Sequence, residues 1–304
     1  DCAILSCNAK NSGEDLAIST DMLVEGRHFL PGANPRWLGH KCLAVNLSDL
    51  ASMGAKPVAF TLAISMPTIN PEWLSEFSAG LLALADEHQC ALIGGDTTAG
   101  PLTISITIFG RVNHSQALKR SNAQAGDDIW VSNTVGDARL ALGVIRQEWS
   151  LDQHKMSLVE TRMHRPTPRV ELGQQLLGLA HAAVDVSDGL LGDLAHILEL
   201  SNLHAEIEID SVPASDTLQQ QSLELRRLCT LMGGDDYELC FTAPNQNRAA
   251  IEQLSKKINL QLTRIGKVNP KIAAEAILRL IDSDGHELPA ELSQQYLKSF
   301  DHFK

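Results

Sequence analysis

Acidic residues beside small ones recur along this chain of 304 residues. ALIGGDTTAG, residues 91–100, runs from an apolar segment into two glycines and then Asp96. LAIST at 16–20 leads to Asp21, LAVNLS at 43–48 to Asp49, and AAVDVS at 182–187 to Asp188, with Asp185 three residues ahead. Each segment reads as a short strand that ends on a carboxylate. In open α/β sheets, ligands bind beyond the carboxyl ends of the strands. Carboxylates gathered there repel one another and protonate unless cations neutralise them. Mg2+ does this with oxygen ligands, pairing a few carboxylates with the phosphates of a bound molecule. Ser19, Thr20 and Ser187 add hydroxyl oxygens, and Gly94 and Gly95 let a backbone approach a phosphate. Capping is the competing explanation. Ser48-Asp49 and Ser187-Asp188 precede helix-like runs, whose first turns accept such caps. MLVEG and TTAGP, after Asp21 and Asp96, are poorer helix starts, so capping is weaker there.

Other routes to phosphate chemistry are missing. The chain holds no GxxxxGK[ST] and no GxGxxG, so neither a P-loop nor a dinucleotide fingerprint. HExxH, GxSxG and Cys/His metal patterns are absent too. A nucleotide held by this chain is held through metal ions rather than a glycine-lysine cradle.

The elements that must carry these residues alternate between strand and helix. Residues 58–66 form an apolar strand-like run. PEWLSEFSAGLLALADEH spaces Leu74, Phe77, Leu81 and Leu84 as an amphipathic helix opening near Pro71. ALIGGD reads as a buried strand, and LTISITIFG alternates as a half-exposed one. The pattern breaks over 110–127, which places a domain boundary near residue 121. The second half restarts with a strand (DIWVSN), a turn at Gly136-Asp137 and a helix (ARLALGVI). Pro166 and Pro168 introduce the helix VELGQQLLGLAHAA. LLGDLAHILELS and AAIEQLSKKI are further helices, and ELCFTAP, LTRIGKV and AAEAILRLID are strands. The expectation is α/β (α+β): two mixed α/β domains, residues 1–121 and 122–304.

Bulk composition narrows the partners. A formal net charge of −12 disfavours nucleic acid and anionic membranes, whose own charge repels it. No apolar run nears 20 residues, so no transmembrane span is expected. Six cysteines without a CxxC pair fit reduced thiols in the cytoplasm.

The motifs together carry a resemblance. STDMLVEGRHF (19–29), KCLAVNLSDLASMGAKP (41–57), ALIGGDTTAGP (91–101), VDVSDGLLGDLAHIL (184–198), GGDDYELCF (233–241) and FDHF (300–303) resemble the thiamine-monophosphate kinases. That family lies in the superfamily of aminoimidazole ribonucleotide synthetase and selenophosphate synthetase. The resemblance runs the length of the chain in the same order. It implies transfer of phosphate from ATP to thiamine monophosphate, with several Mg2+ ions and direct in-line attack. It also implies a homodimer built by the N-terminal domain, which binds ATP and Mg2+, and a larger C-terminal domain that completes the substrate cleft. By motif position, Asp1, Ser19, Thr20, Asp21, Asp49, Asp96, Asp185 and Asp188 correspond to the metal shell. Gly95, Asp96, Arg120 and Ser187 correspond to ATP contacts, and His28, Asp235 and Phe300 to the thiamine-monophosphate side. Asp49, Asp96, Asp188 and Arg120 are the residues implied to be catalytic. Asp235 stands where relatives carry Glu, and Ala99 where many carry Arg. A synthetase activating an amide or selenide is the runner-up, but its N-terminal reactive Cys or Lys motif is absent. A catalytically silent Mg-nucleotide-binding dimer is the reading from a different class.

Overall fold

In the computed structural model, residues 1–6, 13–272 and 276–297 are described. The chain divides into two compact units, the first formed by residues 1–117 and 164–174, the second by 118–163 and 175–304.

The first unit is built on a five-stranded sheet. Its strands are β1 (Ala3–Ser6), β2 (Glu14–Val24), β3 (Lys56–Met66), β4 (Ala91–Ala99) and β5 (Thr103–Asn113), with helices α1 (Pro35–Ser52) and α2 (Pro71–Glu87) between them. The sheet order is β1-β2-β5-β3-β4, antiparallel except for the parallel pair β3–β4. β5 shows the expected alternation, burying Ile104, Ile106 and Ile108 against the helical layer. Both helices open on an Asn cap followed by Pro at the first helical position. They approach closely because a Cβ at Gly39 would meet the Phe77 carbonyl, and one at Gly80 the Arg36 carbonyl. A side chain at either position would force them apart.

Three expectations change here. LAVNLS is helical: residues 43–48 lie inside α1, which buries Leu43, Val45, Leu47 and Leu50 on all its sides. A helix covered all round has a continuous apolar run, which periodicity alone confuses with a buried strand. ALIGGD is a strand but an exposed one, because β4 is the edge of the sheet and all nine of its residues are exposed. Segment 164–174, read with the second half, clusters with the first unit. There His40 bonds the Pro166 carbonyl, Trp37 stacks on His164, and Gly173 lies against the Ala51 carbonyl.

The second unit holds β6 (Asp128–Ser132), α3 (Asp137–Ile145), α4 (Gln153–His164), the end of α5 (Val170–Leu176), β7 (Ala182–Asp185), α6 (Leu190–Ser201) and β8 (Leu203–Glu208). It continues through α7 (Asp216–Gln219), α8 (Leu223–Met232), β9 (Leu239–Ala243), α9 (Arg248–Lys257), β10 (Leu262–Pro270), β11 (Leu278–Ile281) and α10 (Ala290–Tyr296). Its six-stranded mixed sheet runs β11-β8-β10-β6-β9-β7. α6 packs Leu190, Leu191, Leu194, Ile197 and Leu198 into the core of this sheet. α3 and α4 enclose a separate small core around Leu140, Val159 and Met163.

Candidate active site

The aspartates do not share one local device. Asp21 and Asp96 lie within β2 and β4 rather than at their ends, Asp49 sits in the last turns of α1, and only Asp185 closes a strand. Asp188 follows it in the turn before α6.

In the first unit, β2 and α1 gather one cluster. Ser19 is buried on the face of β2 toward α1, and its hydroxyl donates to Asp49 Oδ2. Ser52, one turn on from Asp49, places its Oγ 2.6 Å from Asp1 Oδ2 and 2.8 Å from the Asp49 carbonyl. A carboxylate oxygen of Asp1 and one of Asp49 lie within 4.8 Å of each other. Asn46, fully buried on α1, accepts the Asp21 N–H at 3.2 Å and so ties β2 to the helix. Thr20 leaves this cluster, because strand alternation turns it to the opposite face, where it bonds Thr107 across β5 at 2.9 Å. Asp96 is set apart as well. Asp21 pairs with Ile106, Ile106 with Leu62, and Leu62 with Gly95, so Asp96 is almost level with Asp21. Three strand spacings nevertheless separate them, about 14 Å along the sheet. One ion therefore cannot take both carboxylates from β2 and β4 of the same sheet.

His28 follows β2 in a tight turn. Its Nδ1 accepts the Val24 N–H at 3.0 Å, which in the neutral ring leaves the proton on Nε2.

In the second unit the turn after β7 is held from inside. Asp193, in the first turn of α6, accepts the N–H groups of Ser187, Asp188 and Gly189 at 3.0, 3.1 and 3.1 Å. Burial, then the charges of Asp185 and Asp188, push its carboxyl up to about 8. The neighbouring GGDDYE loop is laced to this turn: Asp235 N–H bonds the Ser187 carbonyl and Tyr237 N–H the Val186 carbonyl. The unit thus brings Asp185, Ser187, Asp188 and Asp235 into one region. Arg120 opens a short turn, residues 120–122, that packs against both β7 and α6, and its carbonyl accepts from Ser201 Oγ at the C-terminal end of α6. Phe300 lies outside the described residues.

Sequence reasoning passed over Asn46, Ser52, Asp193 and Glu238. Asp193 had a visible signal, an acidic residue in the first turn of a helix that opens on SDG. The others gave none, because a buried polar residue on an apolar run is recognised only from its partner.

The donor set around Asp1, Ser19, Asp49 and Ser52 is all oxygen and pairs carboxylates with hydroxyls, which fits Mg2+ rather than a softer metal. Residues 1–112 match the AIR synthase related protein N-terminal domain, and residues 124–278 its C-terminal domain. Thiamine-monophosphate kinase of Haemophilus influenzae is 42% identical over 100% of this chain and 90% of its own length. The crystal structure of thiamine-monophosphate kinase from Stenotrophomonas maltophilia K279a superposes with a TM-score of 0.85 at 44% identity, covering 94% of this chain and 92% of that one. A structure described as AaThiL complexed with AMPPCP and TMP gives 0.80 at 26% identity, covering 94% and 88%. The chain belongs to the AIR synthase related family and, within it, to the thiamine-monophosphate kinases.

Proposed function

We propose that this chain transfers the γ-phosphoryl group of ATP to the phosphate of thiamine monophosphate, giving thiamine diphosphate and ADP. One observation carries the reading: whole-length similarity to thiamine-monophosphate kinases, one of them described in complex with AMPPCP and TMP. The acceptor is a phosphate monoester, largely ionised near neutral pH, so its oxygen attacks without a general base. The difficulty is electrostatic, since two polyanions must touch.

Asp1, Ser19, Asp21 and Asp49 in the first unit, and Asp185 and Asp188 in the second, are assigned to several Mg2+ ions. Asp96 and Thr20, which do not join the first cluster, are assigned to separate ions. When bound, Mg2+ offsets phosphate charge and favours an in-line displacement. Gly95 and Ser187 offer backbone and hydroxyl contacts to ATP, and Arg120 adds positive charge to its phosphates. Asp49, Asp96, Asp188 and Arg120 are thereby the catalytic set. On the acceptor side, His28 contacts the substrate, Asp235 complements the cationic thiazolium, and Phe300 is assigned to stack on a ring. Direct transfer is preferred to a phosphoenzyme.

The exposed edge strand β4, with Ile93 64% and Leu92 43% accessible, supports a homodimer formed through the first unit. No helix among the described residues is long and apolar enough to cross a membrane. A cytoplasmic setting and an absence of nucleic-acid partners remain the assignment from charge and cysteine usage.

The test is ADP release from ATP with magnesium and thiamine monophosphate supplied singly and together. Turnover is expected only when both are present. Asp49→Asn and Asp96→Asn should each cut kcat by about 100-fold or more while melting like the parent. Preference for free thiamine would overturn the substrate assignment. Full activity in both variants would overturn the metal assignment.

A further inference from the structure

The GGDDYE loop, residues 233–238, is bent in an unusual way. Asp235 has φ 70° and Tyr237 has φ 51°, both left-handed without being glycine. Such conformations cost of order 1–3 kcal/mol each and persist only where the surroundings over-determine them. The surroundings are specific. Asp235 and Tyr237 each donate a backbone N–H to the turn after β7, at 2.8 and 2.9 Å, and Val186 N–H returns a bond to the Glu238 carbonyl. Glu238 is buried and takes three side-chain donors: Ser132 Oγ at 2.6 Å, Asn133 Nδ2 at 3.0 Å and Arg162 Nη2 at 2.7 Å.

Between the two left-handed residues, Asp236 is 3% exposed, and its Oδ2 accepts the Gly136 N–H at 2.7 Å, at the start of α3. Its Oδ1 is buried with no hydrogen-bond partner among the described residues. Asp236 and Glu238 thus face inward, while Asp235 and Tyr237 stay partly accessible and meet each other, the Tyr237 hydroxyl donating to Asp235 Oδ1 at 3.2 Å. We propose that Asp236 is a positioning residue for the acceptor substrate: its bond to Gly136 holds the strained loop so that Asp235 and Tyr237 are turned outward as a pair. This rests on the reading that Asp235 contacts thiamine monophosphate. Burial pushes the Asp236 carboxyl well above the usual carboxylate range. The amide of asparagine has the same shape and the same accepting oxygen.

The experiment is steady-state kinetics with thiamine monophosphate and ATP varied separately, alongside thermal melts. Asp236→Ala is expected to raise KM for thiamine monophosphate about tenfold or more while KM for ATP stays within about twofold. Asp236→Asn should stay within about threefold of the parent in both. Tyr237→Phe, which keeps the ring and loses only the hydroxyl, should raise KM for thiamine monophosphate alone, and it decides the matter if Asp236→Ala does not fold. Equal losses for both substrates in step with a lowered melt, or Asn behaving like Ala, would make Asp236 merely structural and overturn the proposal. An unchanged KM for thiamine monophosphate in Asp235→Asn would instead overturn the Asp235 assignment on which it stands.

Discussion

At Gly95 a single added methyl group would lie 1.8 Å from the Leu62 carbonyl oxygen, the strand partner it faces in β3. A methyl group on its neighbour Gly94 would meet nothing within 4 Å. Two adjacent glycines of one motif therefore have different jobs. Gly95→Ala should lower the unfolding free energy by roughly 3 kcal/mol through overpacking. Gly94→Ala should change it by less than about 1 kcal/mol. Urea titration of both variants checks this, and equal costs would mean that the β3–β4 approach is not what demands glycine. The pair was visible in the sequence as space beside a carboxylate; which of the two is compulsory was not, since that depends on a carbonyl 33 positions away. Asp193 carries the same lesson. Its three backbone partners are four to six residues upstream, so its role becomes plain only when the turn has closed around it.

Elements hold together through a few anchored charges. Asp210, after β8, accepts Arg227 Nε at 2.9 Å and Nη2 at 2.6 Å, and takes the Ser283 N–H at 3.0 Å, joining α8 to the turn after β11. The hydrogen bonds from Arg227 hold the Asp210 carboxyl below the usual carboxylate range. A depressed folded pKa gives stability that is fully present above the unfolded value of about 3.9 and is lost as pH falls through the folded value. Arg227→Ala should therefore cost about 1–2 kcal/mol at pH 7, and progressively less below about pH 4. Denaturant titrations at pH 7, 4 and 3 measure it; a penalty that does not change with pH would remove Asp210 as the cause. Amphipathic elements such as α2, β5 and α6 were legible in the sequence because one face of each is wet. The all-buried α1 was not, since its wet face is missing and its apolar run resembles a strand. β4 failed in the opposite sense, as an apolar segment left on an edge. With α1 misread, the route by which Asp49 reaches Ser19 was hidden even though both residues had been singled out.

For the molecule as a whole, the uncovered edge of β4 bears on assembly. Ile93→Lys places a charge on the third residue of that strand. If copies of the chain join there, the parent should elute at twice the mass of one chain and the variant at the mass of one, as read by light scattering. A parent that is already monomeric at micromolar concentration would end the homodimer assignment. The excursion of residues 164–174 back to the first unit has a further bearing, on biosynthesis. Because the ribosome emits the chain in order, the first unit lacks one of its pieces until residue 174 has been made, well after translation of the second unit has begun. A gene cut near residue 121 would release an unfinished body, and supplying 164–174 as a separate peptide is the remedy its connectivity suggests.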